Sequence, residues 1–134
     1  MSKSNYLEDA ILDHVLKNTA FTQPTVLFVA LASADPTDAG TGASMNELTS
    51  AGGYARQSIA FAVASGGAAA NSAPVAYTAT GAAFSAVATH FAVLDNATIG
   101  AGNMLYFAAL TASRTFNDGD TGTFATGELD LTED

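Results

Sequence analysis

Thr25-Val26-Leu27-Phe28-Val29-Ala30-Leu31-Ala32-Ser33 decides the fold class. The run is apolar on both alternating faces and too short for an ordinary helix, which suits a strand in the middle of a sheet. Pro24 precedes it, and Asp35-Pro36-Thr37-Asp38-Ala39-Gly40-Thr41-Gly42 follows as a surface loop of turn-forming residues. Upstream the apolar period is 3.6 instead of 2. Leu7, Ala10, Ile11, His14 and Val15 fall on one helical face, which predicts a helix over about residues 6–17. Asn5 is placed to cap it, with Glu8 three residues on, and Asp13 and Lys17 make an i,i+4 pair. So short a helix is marginal in water, so its stripe is expected to dock on the rest of the chain.

Downstream, strand patterns recur at short intervals. Residues 54–63 alternate, with Ile59, Phe61 and Val63 opposite Arg56, Ser58, Ala60 and Ala62. Gly66-Gly67 makes a turn before a weaker, edge-like strand over 73–80 that begins near Pro74. Residues 89–94 put Phe91 and Val93 together, and 103–110 put Met104 and Tyr106 on one face. Asn117-Asp118-Gly119-Asp120 is an Asp-Gly hairpin signal between 114–116 and 121–126. Leu129 and Leu131 alternate with Glu128, Asp130 and Thr132 as a last strand. Seven or eight short strands after one helix predict an all-β, antiparallel β-sandwich forming a single domain over 1–134.

Composition sets the limits. The chain has 29 Ala, 16 Thr, 12 Gly and 10 Ser, so half of it is small. Eight Phe and four Tyr, with no Trp, must supply much of the buried area. With no cysteine, disulfides and thiolate metal sites are excluded. Thirteen acids against four bases give a formal charge of -9, which argues against direct contact with nucleic-acid phosphates. No apolar run approaches the roughly 20 residues that a membrane helix needs. Acids in MSKSNYLEDA occupy the place of a signal peptide's apolar stretch, so secretion by that route is not expected.

Sites of chemistry are sparse. His14 and His90 have no HxH or HExxH spacing; His14 is expected to half-bury against the sheet, and His90 to face solvent or a neighbour. Asn117, Asp118 and Asp120 resemble part of a calcium loop, but the full EF-hand pattern is absent and turn chemistry explains them. The paired glycines lack phosphate-loop form, and no serine sits in a GxSxG elbow. No catalytic residue, metal ligand or cofactor is expected. Arg56, one of four bases, stands beside Tyr54 inside a strand pattern. Two readings are open for it: an internal salt bridge, or a contact of Tyr54 and Arg56 with a partner subunit. Six acids follow Arg114, a solvated face that discourages edge aggregation.

The ordered pieces YLEDAILDHVL (6–16), TVLFVALASADP (25–36), GGYARQ (52–57), THFAVLDNATIGAGNMLYFAAL (89–110) and FNDGDTGTFATGELDLT (116–132) together resemble a family of small virion structural proteins of tailed bacteriophages. Its members are labelled either capsid cement (decoration) proteins or tail-fibre-like proteins. Tyr54, Ala55, Arg56, Phe91, Asp95, Gly119 and Asp120 correspond, and residues 68–79 depart most. The resemblance implies a non-enzymatic sandwich, of jelly-roll type in the cement proteins. It implies manufacture in the bacterial host cytoplasm and a place on the outer capsid surface, bound to the major capsid protein as a dimer or trimer. A tail or tail-fibre component is the alternative. A glycan- or calcium-binding module is the third, and the lack of tryptophan weighs against sugar platforms.

Overall fold

The computed structural model describes residues 1–133. The protein is all-β and antiparallel, with one N-terminal helix. Its main sheet has the order β1-β7-β6-β2-β3, from Ser2–Lys3, Met104–Arg114, Ala88–Leu94, Leu27–Ala32 and Gln57–Ile59 respectively. Two ribbons complete the strand set: β4 (Ala68–Ala70) with β9 (Asp130–Thr132), and β5 (Val75–Thr78) with β8 (Thr121–Phe124). The second layer is thus two separate ribbons, and not the four-stranded sheet of a jelly roll.

β2 lies between β6 and β3, as its two apolar faces require. One face carries Val29 and Leu31 with Phe91 and Val93 of β6. The β5–β8 ribbon covers it with Val75, Tyr77 and Phe124, and Phe84, Phe116 and Leu129 close the core. Aromatic rings do supply the mass: Tyr54 stacks on Tyr77 at 5.9 Å, and Phe84 meets Phe116 at 4.8 Å between centroids. The other face is built from Ala30, Ala32 and Ala92 with Leu94, Met104 and Phe107. Such short side chains let the loop between β2 and β3 lie close, and its Met45 fills the remaining space.

Four expectations need correction. Met104 and Tyr106 are on opposite faces, because Val93 pairs with Tyr106 and Leu94 with Met104, leaving Leu105 as a bulge. The Asp-Gly turn forms, with Asp120 N–H donating to the Asn117 carbonyl at 2.9 Å, but it makes no hairpin of its flanks. A two-residue type I′ hairpin needs positive φ at both central residues, and only Gly119 has it, so β8 leaves to pair with β5. The 54–63 strand is regular only over β3, and Ala68–Ala70 is a strand that the sequence pattern did not indicate.

The fourth concerns α1 (Asn5–Leu16). Its cap is Ser4, not Asn5: Ser4 Oγ accepts the Leu7 N–H at 3.3 Å, while its own N–H donates to the Leu105 carbonyl at 2.9 Å. Ser4 Oγ also donates to the Met104 carbonyl, so the bulge anchors the helix start. The expected docking of the stripe is confined to its start, where Leu7 is buried and Ala10 half-buried. Ile11 and Val15 are exposed.

Candidate functional site

Arg56 immediately precedes β3, and its guanidinium sits under the loops at one end of the sheet. Nε and Nη2 fork onto Glu47 at 2.8 and 2.6 Å. Nη1 donates to the carbonyls of Asn96 and Ala101, each at 2.8 Å, and Nη2 also donates to Gly42 at 3.1 Å. All five N–H groups are thereby used inside the chain. The Arg56 and Glu47 side chains are 0% and 5% exposed, so this is a buried ion pair with its desolvation offset by three further acceptors.

Tyr54 belongs to the same cluster. Its hydroxyl accepts the Leu31 N–H at 2.9 Å and donates to Glu47 at 3.1 Å. Burial, and then the Glu47 carboxylate, push this hydroxyl far above its ordinary range. Tyr77 donates to the Val29 carbonyl at 2.6 Å, and burial raises its hydroxyl likewise. Neither phenol can act as a base near neutrality. Of the two readings for Tyr54 and Arg56, the internal salt bridge is the one that forms, and no Arg56 donor remains for a partner subunit. Sequence spacing did not single out Glu47 or the three carbonyls. The available clue was glycine: a Cβ on Gly42 would lie 2.0 Å from the Ala101 carbonyl oxygen, so only glycine lets these two loops cross.

A second polar cluster joins the chain's two ends. Lys3 pairs with Glu133, whose other oxygen accepts the Tyr106 hydroxyl at 3.0 Å. The Lys3 ammonium holds the Glu133 carboxyl below its ordinary range, and burial with Glu133 pushes Tyr106 up to about 12. Asn71 is buried between β4 and β5, donating to Ala73 and Ala125 and accepting from Leu129 N–H.

The remaining chemistry-bearing residues stay apart. His14 is exposed, correcting its expected half-burial, and its Nδ1 accepts the Phe21 N–H at 3.3 Å. His90 is half-buried beside Thr89. Asp120 accepts the Asn117 N–H and Asp118 the Gly81 N–H, so both carboxylates serve turns. Among the described residues, no three His, Asp or Glu side chains gather where they could hold a metal ion. An open cleft of about 360 Å³ lies between the end of β7 and β8, floored by Leu31, Phe91 and Phe124 and rimmed by Arg114 and Glu128. Exposed apolar residues cluster elsewhere, on α1, where Leu12, Val15 and Leu16 are 55%, 70% and 75% exposed, while Val63, at 95%, stands apart from them.

What the geometry offers is internal locks and external surface. A profile of the family described as podophage GP4 fiber I protein gp80 matches residues 2–132. The chain belongs to that family. It is therefore a phage virion structural protein of a family described by a fibre protein, as the resemblance in its sequence implied at the coarser level. No curated protein matches it. The match covers the Arg56 cluster and α1 and includes Lys3 and Tyr106 of the joined ends, and Glu133 lies one residue beyond it. No helix among the described residues is long and apolar enough to cross a membrane.

Proposed function

We propose that this protein is a component of the podophage tail-fibre apparatus, working by surface contact without a catalytic step or cofactor. The family match over nearly the whole chain carries this reading and favours the tail-fibre alternative over the capsid-cement one. Two structural features support a contact role. The polar groups of the interior are matched within the chain, with no buried side-chain N or O left unpaired among the described residues. The charge of -9 disfavours contact with packaged DNA and suits an outward position. Its partners on this reading are other tail proteins and further copies of itself, as a dimer or trimer.

The test is fractionation of purified particles into heads and tails, with the chain quantified by mass spectrometry in each. Recovery with tails, at a small fixed number of copies per particle, is the expected result. Recovery with emptied heads at hundreds of copies, bound to the major capsid protein on the outer shell, would instead establish the cement role and reject the fibre role. Absence from purified particles would reject both.

A further inference from the structure

The two layers are left apart along one flank. β8 pairs with β5 on one edge only. Ala79 N–H donates to the Asp120 carbonyl at 2.9 Å, so the ladder turns the backbone groups of Asp120, Gly122 and Phe124 toward β5. Those of Thr121 and Thr123 turn outward. The Thr121 carbonyl accepts Arg114 Nη2 at 2.8 Å, and no strand lies beside the Thr123 N–H and C=O. β7 is open on the same flank, because β1 pairs with it only at Tyr106 and Phe107. Between these two edges lies the cleft of about 360 Å³ that reaches Leu31, Phe91 and Phe124.

Charge restricts what can enter. Lys3, Lys17 and Arg56 pair with Glu133, Asp13 and Glu47, whereas Arg114 has no carboxylate partner among the described residues. Arg114 stands exposed at the Thr121 end of β8. Glu128 stands at the other end, its N–H on the Ala125 carbonyl. A carboxylate is therefore favoured at the first end and repelled at the second.

We propose that the cleft takes an extended segment of a different structural protein of the particle, added to β8 as a third strand. Its backbone meets the Thr123 N–H and C=O, its alternate apolar side chains cover Leu31, Phe91 and Phe124, and its carboxylate meets Arg114. A two-stranded ribbon is marginal alone, and a third strand both pairs its free edge and closes the core beneath. The alternating apolar runs of this chain are already paired in its own sheets, so the segment comes from another protein. The inference rests on the contact role proposed above and names one surface for it.

The probes are overlapping synthetic peptides covering the structural proteins of the particle, this chain included, arrayed and incubated with the labelled full chain. A peptide from another protein, apolar at alternate residues and carrying Asp or Glu, is expected to bind. Methylating its backbone nitrogens in turn should weaken binding about tenfold or more at alternate positions, since those facing β8 are blocked. Thr123→Pro removes an N–H that the β5 ladder does not use, and Arg114→Glu reverses an exposed charge, so both should fold and bind about tenfold more weakly. If Thr123→Pro unfolds the chain, the methylated series on the wild-type protein decides alone. No bound peptide, binding of this chain's own segments only, or binding indifferent to methylation overturns the strand addition. Recovery of the chain with heads instead of tails would overturn the fibre assignment and leave a positive peptide result standing.

Discussion

Replacing Arg56 by methionine keeps the aliphatic stem and removes the guanidinium. Glu47 is then a buried carboxylate without its counter-charge, and the carbonyls of Gly42, Asn96 and Ala101 lose a charged donor. Removing one partner of a buried ion pair costs about 3–5 kcal/mol, chiefly from the charge left behind. Here the upper half of that range is expected, since three carbonyls are stranded as well. For a chain of this length each kcal/mol moves the melting temperature by roughly 3–5 °C, so a fall of about 12–25 °C should appear in a circular-dichroism melt. Arg56→Lys retains the charge but has no fork, and should fall between the two.

The control is the double variant Arg56→Met/Glu47→Leu. With both charges gone, the uncompensated carboxylate no longer exists, and stability should recover part of the way toward wild type. Urea denaturation at unchanged slope measures all four proteins on one scale. If Arg56→Met lies within about 1 kcal/mol of wild type, the cluster is not a structural lock. If the double variant is as unstable as the sum of the single ones, the two charges are not coupled.

Three further outcomes are expected. Because the Lys3 ammonium depresses the Glu133 carboxyl, its contribution to stability is present above the unfolded-state value and is lost as pH falls through the folded-state value. The melting-temperature difference between wild type and Glu133→Gln should therefore be largest near neutrality and close in acid; a constant difference would reject the pairing. At Gly102, φ is +82° and an added Cβ would lie 2.4 Å from Asn96 Cβ, whereas at Gly100, with φ +81°, it meets nothing. Gly102→Ala should thus cost more than the ~1 kcal/mol of strain expected for Gly100→Ala, and equal costs in urea denaturation would contradict the crowding. Asn71→Ala leaves the Leu129 N–H and the Ala73 carbonyl without their partner, while the Ala125 carbonyl keeps the Glu128 N–H, and it should lower stability by about 2–3 kcal/mol in the same assay.

Much of the fold was legible in the periodicity. β2 and β6 stand out because each is apolar over a run that matches a buried strand, and both lie at the centre of the sheet. What failed to show depends on pairing at a distance. The bulge at Leu105 follows from how β7 meets β6, and it reverses Met104 without any local mark in the sequence. Thr121–Phe124 pairs with Val75–Thr78 instead of its neighbour in the chain, and no short-range turn signal encodes that choice. The α1 stripe was misread because amphipathic spacing reports that a face is apolar, not which surface covers it. Arg56 was found from the sequence as an unusual base, but its burial depends on Glu47 and two loops brought in by the fold.

The Arg56 cluster and α1 are linked through one loop. The segment between β2 and β3 gives its Gly42 carbonyl and its Glu47 carboxylate to Arg56, and its Asp38 carbonyl accepts the Asn5 N–H at the first residue of the helix. Gly42 N–H donates to the Gly102 carbonyl, and the Leu105 bulge just beyond holds Ser4. The buried charge pair therefore fixes the two loops on which the helix stands. That division of labour suits a contact protein of a virus particle. Polar groups that need fixed geometry are satisfied inside the chain, where they hold the loops in one arrangement, and the apolar side chains of α1 are carried outside on that rigid base. A helix held at its start and free along its far face can meet a neighbour without any loss of the domain's own core.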